Sequence, residues 1–508
     1  MMGKKKQMNG NGSIQLDVPD ETKTIAVSCR QWGDTGKGKI VDLLTGWAEV
    51  IVRSTGGDNA GHTICTDGRT FIAHLIPSGI IGDSDGKINI MSSGMVIYPR
   101  SLIMELANLR SLGMSYDNLF LSCRAKLITP AEIVFDRISE VVAGSGRIGS
   151  TGRGIGPCYT DEVARYGLTV NDLLNPVFFR AKLARHLEYY TRILRFYDWE
   201  DIKTILYHEH LESGLYYDEK SIFNFNTISR KYLEYGRELQ PLIRDTDSII
   251  QSKLGIRRIL LEGAQGDLLS VKRGTYPFVT SSDCTVAGMA AGAGIEESDI
   301  DLSLGIIKGF YMTRVGGGPF PTEYGGKQSE EWCNGGQVTR TREEKILAWV
   351  NDLDEFLRGI AIRQVGSEYG ATTKRPRRTG RLDLPLLRYV LGFNSRDIVM
   401  TKLDVLDDCE EIEICDHYVY TGPNFYNGQE LIETGSVMHV AIPAAEFLQY
   451  CQPVYVKFPG WKSNLRTCHR AADLPAELKS IINFLEDGLG IKVRIISVGP
   501  DRQETVFL

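Results

Sequence analysis

The sequence has no apolar run near the roughly 18 residues needed to cross a bilayer, which excludes a membrane-spanning helix. Its first stretch, Met1-Met-Gly-Lys-Lys-Lys-Gln-Met-Asn-Gly-Asn-Gly12, is basic and polar but lacks the apolar segment of a secretory signal. Excess positive charge is missing too. The 508 residues carry a net charge of −6, so nothing pulls the chain as a whole toward nucleic acid or an anionic membrane. Histidine is scarce, with eight residues and no cluster. The ten cysteines are scattered and none has Cys-x-x-Cys spacing, which argues against a zinc centre and against a disulfide framework. They read as buried, reduced thiols, and the expected location is cytoplasmic. Internal repeats and flexible linkers are also lacking. The expected organisation is a disordered polar tail over 1–22 and one large domain over 23–508.

Glycine, by contrast, is abundant and concentrated in loops. Gln31-Trp-Gly-Asp-Thr-Gly-Lys-Gly-Lys39 packs three glycines, two lysines and a carboxylate into nine residues. The apolar run Thr24-Ile-Ala-Val-Ser28 precedes it, and Ile40-Val-Asp-Leu-Leu44 follows with helical spacing. Strand, glycine loop and helix in that order place backbone N–H groups and a helix N-terminus at one point, which suits a phosphate. The bland alternative is a glycine-rich turn before an ordinary helix. No Ser or Thr follows the lysines to hold magnesium, as the Gly-x4-Gly-Lys-Ser/Thr loop requires. Asp34 is therefore a candidate metal ligand, or a base.

Further short β-rich runs, Ala48–Arg53 and Lys87–Met91, alternate with helical stretches such as Pro99–Leu112. This predicts an α/β fold with a large, mostly parallel central sheet flanked by helices. Ligands of such sheets sit at the carboxyl ends of the strands. A second glycine loop, Ser54–Thr63, carries His62, a group suited to proton transfer near neutral pH. A third spans Gly149–Pro157. Leu183–Leu254 reads as a mainly helical insertion whose aromatics belong to a core. Tyr324–Ser367 reads as a polar surface loop insertion. Asp397–Asp404 is a strand ending in Thr-Lys-Leu-Asp. A carboxylate there can accept hydrogen bonds from guanine N1–H and the 2-amino group, while the Lys402 stem covers the base. The basic run Arg375, Arg377, Arg378 beside Ala371-Thr-Thr-Lys374 reads as a flexible clamp on a di-acid.

Taken together, Gln31–Lys39, Gly56–Thr63, Gly152–Pro157, Glu262–Gly266, Thr275–Ser282, Arg314–Glu323, Gly370–Thr373 and Thr401–Asp404 resemble the motifs of adenylosuccinate synthetase, in that family's order. The resemblance implies a P-loop-like GTP-binding ligase fold. The reaction it implies joins IMP and L-aspartate at the expense of GTP, through 6-phosphoryl-IMP. Asp34 would be the base and His62 the acid. One Mg²⁺ per subunit would be held by Asp34 and the Gly61 carbonyl. GTP would be bound by Gly33, Asp34, Thr35, Gly36, Lys37, Gly38, Lys39, Gly61, His62, Thr63 and Arg377. Its guanine would be read by Thr401, Lys402, Leu403, Asp404, Ser497, Val498 and Gly499. IMP would meet Asp34, Lys37, Asn59, Ala60, Gly61, His62, Thr151, Gln265, Thr280 and Arg375. Arg165 would reach IMP across the interface of a homodimer. Aspartate would meet Ala371, Thr372, Thr373, Lys374, Arg375, Pro376 and Arg377. The departures from the family pattern are Thr35, Asp58 and Lys374. Two rival readings stand beside it: a relative that acts on (d)GMP, and a guanine-nucleotide switch, which needs a metal-side Asp-x-x-Gly after a strand, a string that Asp83–Gly86 fits while reading as a polar turn and that Asp487–Gly490 fits far too late in the chain.

Overall fold

The computed structural model describes residues 18–508 apart from 20, 67–68, 83–85, 207–221, 336–337 and 371–374. Its centre is the strand Thr24–Cys29, buried at every position. Ile25, Ala26 and Val27 are wholly enclosed, as a parallel strand covered on both faces requires. Around it runs a ten-stranded sheet. In spatial order the strands are Ile243–Arg244, Leu119–Ser122, Ile88–Met91, Val50–Arg53, Ile259–Glu262, Thr24–Cys29, Leu302–Lys308, Asp397–Thr401, Lys492–Ser497 and Thr505–Phe507. All neighbours are parallel except the final pair. From the central strand the chain passes to Val50–Arg53 on one side, skipping the place that Ile259–Glu262 later fills. Leu302–Lys308, Asp397–Thr401 and Lys492–Ser497 extend the sheet on the other side. The strand order therefore reverses at the centre, and the loops leaving the carboxyl ends there border one crevice. A second, five-stranded sheet is built from Tyr311–Arg314, Arg378–Asp383, Glu411–Tyr420, Val437–Met438 and Cys451–Pro459.

The expected helix after the glycine loop spans Lys37–Thr45 and that after Met91 spans Pro99–Ser111. The 183–254 segment is helical where described, with helices Pro176–Leu194, Trp199–Leu206, Phe225–Leu239 and Thr246–Gln251. Tyr190 and Tyr232 are buried in it, so its aromatics do form a core. It also returns Ile243–Arg244 to the edge of the central sheet, which helical spacing alone did not foretell.

The surface-loop reading of 324–367 is overturned. The segment forms helices Gly326–Asn334, Arg340–Glu343 and Glu355–Gly366, and Ile360, Ala361, Ile362 and Arg363 are buried. Its charge misled the reading because many of the charges are paired, within the segment or with the second sheet. Arg363 donates through both Nε and Nη2 to Glu343, with neither side chain exposed. Removing one member of such a pair costs about 3–5 kcal/mol. The polar tail also ends earlier than 22: Thr22 is buried and Val18 packs on the core around Ile25, while residues 1–17 and 20 lie outside the described residues.

Candidate active site

The glycine loop turns by left-handed residues. Gly33 has φ 84°, Asp34 53° and Gly36 75°, a region that glycine enters freely and Asp or Asn as single residues. Gly36 begins the helix with no side-chain cap, so the first N–H groups of Lys37–Thr45 keep their capacity for an external anion. The Lys37 ammonium donates to the Gln265 carbonyl. Gln265, itself at φ 48°, donates from Nε2 to Asn59 Oδ1 over 3.1 Å. Three of the expected IMP residues thus meet although they come from three loops.

Asp34 lies opposite Arg377, whose Nε is 2.9 Å from Asp34 Oδ2. Arg377 Nη1 donates to Glu368 Oε2 over 2.8 Å. Glu368 is wholly buried and also meets Lys308 Nζ at 2.8 Å and Lys402 Nζ at 2.7 Å. Burial opposes its charge, yet the three cations hold its carboxyl well below the usual range. Burial in turn brings Lys308 down to about 7, against the pull of Glu368.

At the expected guanine reader, Thr401 ends its strand and donates to the Thr35 carbonyl over 2.8 Å, tying that strand to the glycine loop. Lys402 sits at φ 56°. That turn is unusual for a residue with a Cβ, and it starts the short helical turn Leu403–Leu406. Leu403 is buried beneath it, and Asp404 faces Arg466 at 3.0 Å. Arg466 is half exposed, so it is a partner that a base can displace. The Lys39 ammonium donates to Ser497 Oγ at 2.7 Å, the Gly499 carbonyl at 2.7 Å and the Glu504 carbonyl at 2.9 Å. Burial lowers its pKa to about 8. Lys39 therefore braces the Ser497–Gly499 turn with donors that the sequence reading assigned to phosphate. Val498 is buried in that turn.

On the opposite side of the loop, His62 Nδ1 lies against Glu262 Oε1, and Ser78 Oγ is 3.2 Å away. Ser78 fixes the carboxylate with its N–H at 2.7 Å and its hydroxyl at 2.5 Å. Burial works against the charge of Glu262, but His62 and Arg53 bring its carboxyl down to about 2. Burial depresses the imidazole, and Glu262 opposes that by favouring the imidazolium. The Ala60 carbonyl accepts from His74 Nδ1 over 2.7 Å, which shapes the loop before Gly61.

Thr151 and Arg165 stand exposed, on the turn before helix Ile155–Ala164 and at its C-cap (Arg165 φ 66°). Thr280 is partly buried and joined to Leu269 through its backbone. Arg375 is exposed, and Pro376 pairs with Tyr369. Ala371, Thr372, Thr373 and Lys374 lie outside the described residues, and nothing is described of the Thr63 side chain. Sequence reasoning missed Glu262 and Ser78 behind His62, and Lys308, Tyr311 and Glu368 behind Arg377. Glu262 lay inside a quoted motif, and its place at a strand end was the available signal. Of the departures, Asp58 is occupied structurally, bound by Arg153 at 3.0 Å and Ser101 at 2.6 Å. Thr35 is buried with no hydrogen-bond partner for its hydroxyl among the described residues.

The glycine loop and the Thr401–Asp404 turn, tied by the Thr401–Thr35 hydrogen bond at the ends of two strands that flank Leu302–Lys308, suit a purine-nucleotide enzyme, and comparison with known proteins narrows the class to GDP-forming carbon–nitrogen ligases. A family model described as adenylosuccinate synthetase matches residues 26–506. The adenylosuccinate synthetase of Ligilactobacillus salivarius is 38% identical over 491 residues, covering 96% of this chain and 98% of that one. The solved, fully ligated adenylosuccinate synthetase of Plasmodium falciparum superposes with a TM-score of 0.76 at 32% identity, over 95% of this chain and 99% of that one. The chain belongs to the adenylosuccinate synthetase family. A succinoaminodeoxyadenylate synthetase of cyanophage S-2L, solved with dGMP and dATP, shares the fold at 15% identity and a TM-score of 0.50, over 96% of this chain and 95% of that one.

Proposed function

We propose that this chain ligates IMP and L-aspartate to adenylosuccinate with GTP, in one domain. The observation that carries this is the position of Asp34. Its carboxylate faces Arg377, which shares Glu368 with Lys402, and its loop leads into Lys37, which meets the Gln265–Asn59 pair. A γ-phosphate arriving there takes the Arg377 guanidinium and frees the carboxylate. Asp34 then accepts the N1 proton of IMP, and O6 bonds to the γ-phosphorus as the bond to the GDP oxygen breaks. The aspartate amine next bonds to C6 and phosphate leaves with O6. His62, whose Nδ1 rests against Glu262, donates from Nε2, once protonated, to the charge developing on that oxygen. Arg375 and Arg377 suit a di-acid beside the loop. Asp34 and the Gly61 carbonyl offer the all-oxygen donor set that Mg²⁺ takes, and the ion would neutralise phosphate charge there. The test is a matrix of IMP, GMP and dGMP against GTP and ATP, following phosphate and succinyl-purine together. Product from IMP with GTP and aspartate is expected. A preference for dGMP, or GTP hydrolysis that ignores IMP and aspartate, overturns the proposal.

The (d)GMP reading has less support, since its phage example matches in fold alone and Asp58 is already paired. The switch reading fares no better. Asp83, Ser84 and Asp85 lie outside the described residues, and Asp487–Gly490 closes the helix Ala476–Leu489, whereas a metal-side loop follows a strand.

Two further outcomes are expected. Asp404→Asn replaces one acceptor with a donor, so the GTP-over-ATP ratio in kcat/KM should fall about 10–100-fold while ligation persists. A homodimer completed by Arg165 is supported by the exposed apolar residues Val141, Val142, Ile148, Val163 and Tyr166 that share its surface segments. Mixing Arg165→Leu with Asp34→Asn subunits should regain activity that neither has alone, because a mixed dimer holds one intact site. No regain would remove Arg165 from the partner's site. The thiol expectation fits a reducing cytoplasm: the nine described cysteines are free and eight are buried. No described helix is long and apolar enough to cross a membrane.

A further inference from the structure

Glu368 is a buried carboxylate that no step of the proposed reaction uses, yet all its hydrogen-bonding capacity is spent at the site. Its Oε1 accepts from Tyr311 Oη at 2.7 Å and from Lys402 Nζ at 2.7 Å. Its Oε2 meets Lys308 Nζ at 2.8 Å and Arg377 Nη1 at 2.8 Å. A carboxylate offers about four acceptor sites, so neither oxygen can follow one partner without giving up another. The four partners come from four places: the ends of strands Leu302–Lys308 and Asp397–Thr401, the start of Tyr311–Arg314 and the residue before Arg378–Asp383.

The backbone adds a second grip. Arg377 N–H donates to the Glu368 carbonyl over 2.9 Å, Gly370 N–H donates to the Arg375 carbonyl over 2.9 Å, and Tyr369 pairs with Pro376 between them. Residues 368–370 and 375–377 thus close the neck of the segment that begins at Ala371. Lys402 is held at its far end by Glu368 and the Gly366 carbonyl, 2.8 Å away, while its left-handed backbone aims Asp404.

We propose that Glu368 is a positioning residue that couples guanine recognition to the aspartate side of the site, because one carboxylate holds both Lys402 of the guanine reader and Arg377 at the neck of the di-acid loop. The proposal rests on the ligase reading given above. Guanine seated against Lys402 and Asp404 loads the same oxygen pair that sets Arg377, so a wrong base is penalised in the handling of aspartate as well as in nucleotide binding.

The test is Glu368→Gln in the full chain, with KM for aspartate and kcat measured using GTP and ATP. KM for aspartate with GTP should rise about tenfold, and the difference in that KM between GTP and ATP should vanish. Three cations surround this carboxylate, so the single variant can fail to fold. Glu368→Gln with Lys308→Met removes one charge of each sign and keeps the balance. If Glu368 positions its partners, the double variant folds and still shows the raised KM and the lost difference. If the double variant regains both wild-type values, Glu368 is only a counter-charge and the proposal falls. It falls equally if a folded single variant keeps them. Absence of ligation by the wild-type chain would instead sink the ligase reading, which keeps the two failures apart.

Discussion

In Asp34→Asn, turnover with saturating IMP, GTP and aspartate falls by about two to four orders of magnitude, the range lost when a positioned base is removed. The asparagine is nearly isosteric and can keep the loop's left-handed turn, since Asn tolerates that region well. What it cannot do is accept the N1 proton. Without that transfer O6 stays a carbonyl oxygen, a poor nucleophile toward phosphorus. The variant also loses the anionic partner of Arg377, 2.9 Å away. The expected signature is a collapse of kcat with KM for IMP changed far less, measured by phosphate release and by succinyl-purine absorbance. Near-normal turnover would refute the proton-transfer role and leave Asp34 a structural turn residue.

Glu262→Gln is expected to lower kcat at neutral pH by about 10²-fold and to move the alkaline limb of the pH–rate profile to lower pH. The sign follows from the neighbours of His62. Burial favours its neutral form and Glu262 favours the imidazolium. Because Glu262 occupies Nδ1, only the doubly protonated ring can donate from Nε2. Removing the carboxylate takes away the negative charge that favours the imidazolium, so the acid form is lost at lower pH. Ser78, 2.7 Å and 2.5 Å from the carboxylate, can still hold a glutamine side chain in place, which limits the change to charge. A pH profile of kcat across the neutral range decides it. An alkaline limb that stays where it was would mean that His62 does not act as the acid.

These two residues mark how much of the site could be read from the chain. Asp34 was visible because its whole context is local: a buried strand, a glycine loop and an uncapped helix within about one turn of each other. Lys402 and Asp404 were visible for the same reason, at the end of an apolar run. Glu262 was quoted in a motif but received no role, since its partner is 200 positions away. Glu368 escaped notice because nothing near it in the chain distinguishes it from a surface glutamate. Its meaning comes from Lys308, Tyr311 and Lys402, each delivered by a different strand.

By itself, the sequence determined the class of fold and pointed to the glycine loop and the Thr401–Asp404 turn as candidate sites, because backbone conformation and hydrogen-bonding chemistry in those elements depend on neighbours a few residues apart. Family membership, carried by eight motifs in order, was legible too and agrees with the match over 26–506. Only the tertiary structure decided which charges are structural and which are free to act. It buried Arg363 with Glu343 in a segment that looked solvated, turned Lys39 to the Ser497–Gly499 turn, and gathered three cations on Glu368. The reason is physical: a charge's behaviour is set by its burial and by the partners within hydrogen-bond reach, and most of those partners lie tens to hundreds of residues away along the chain.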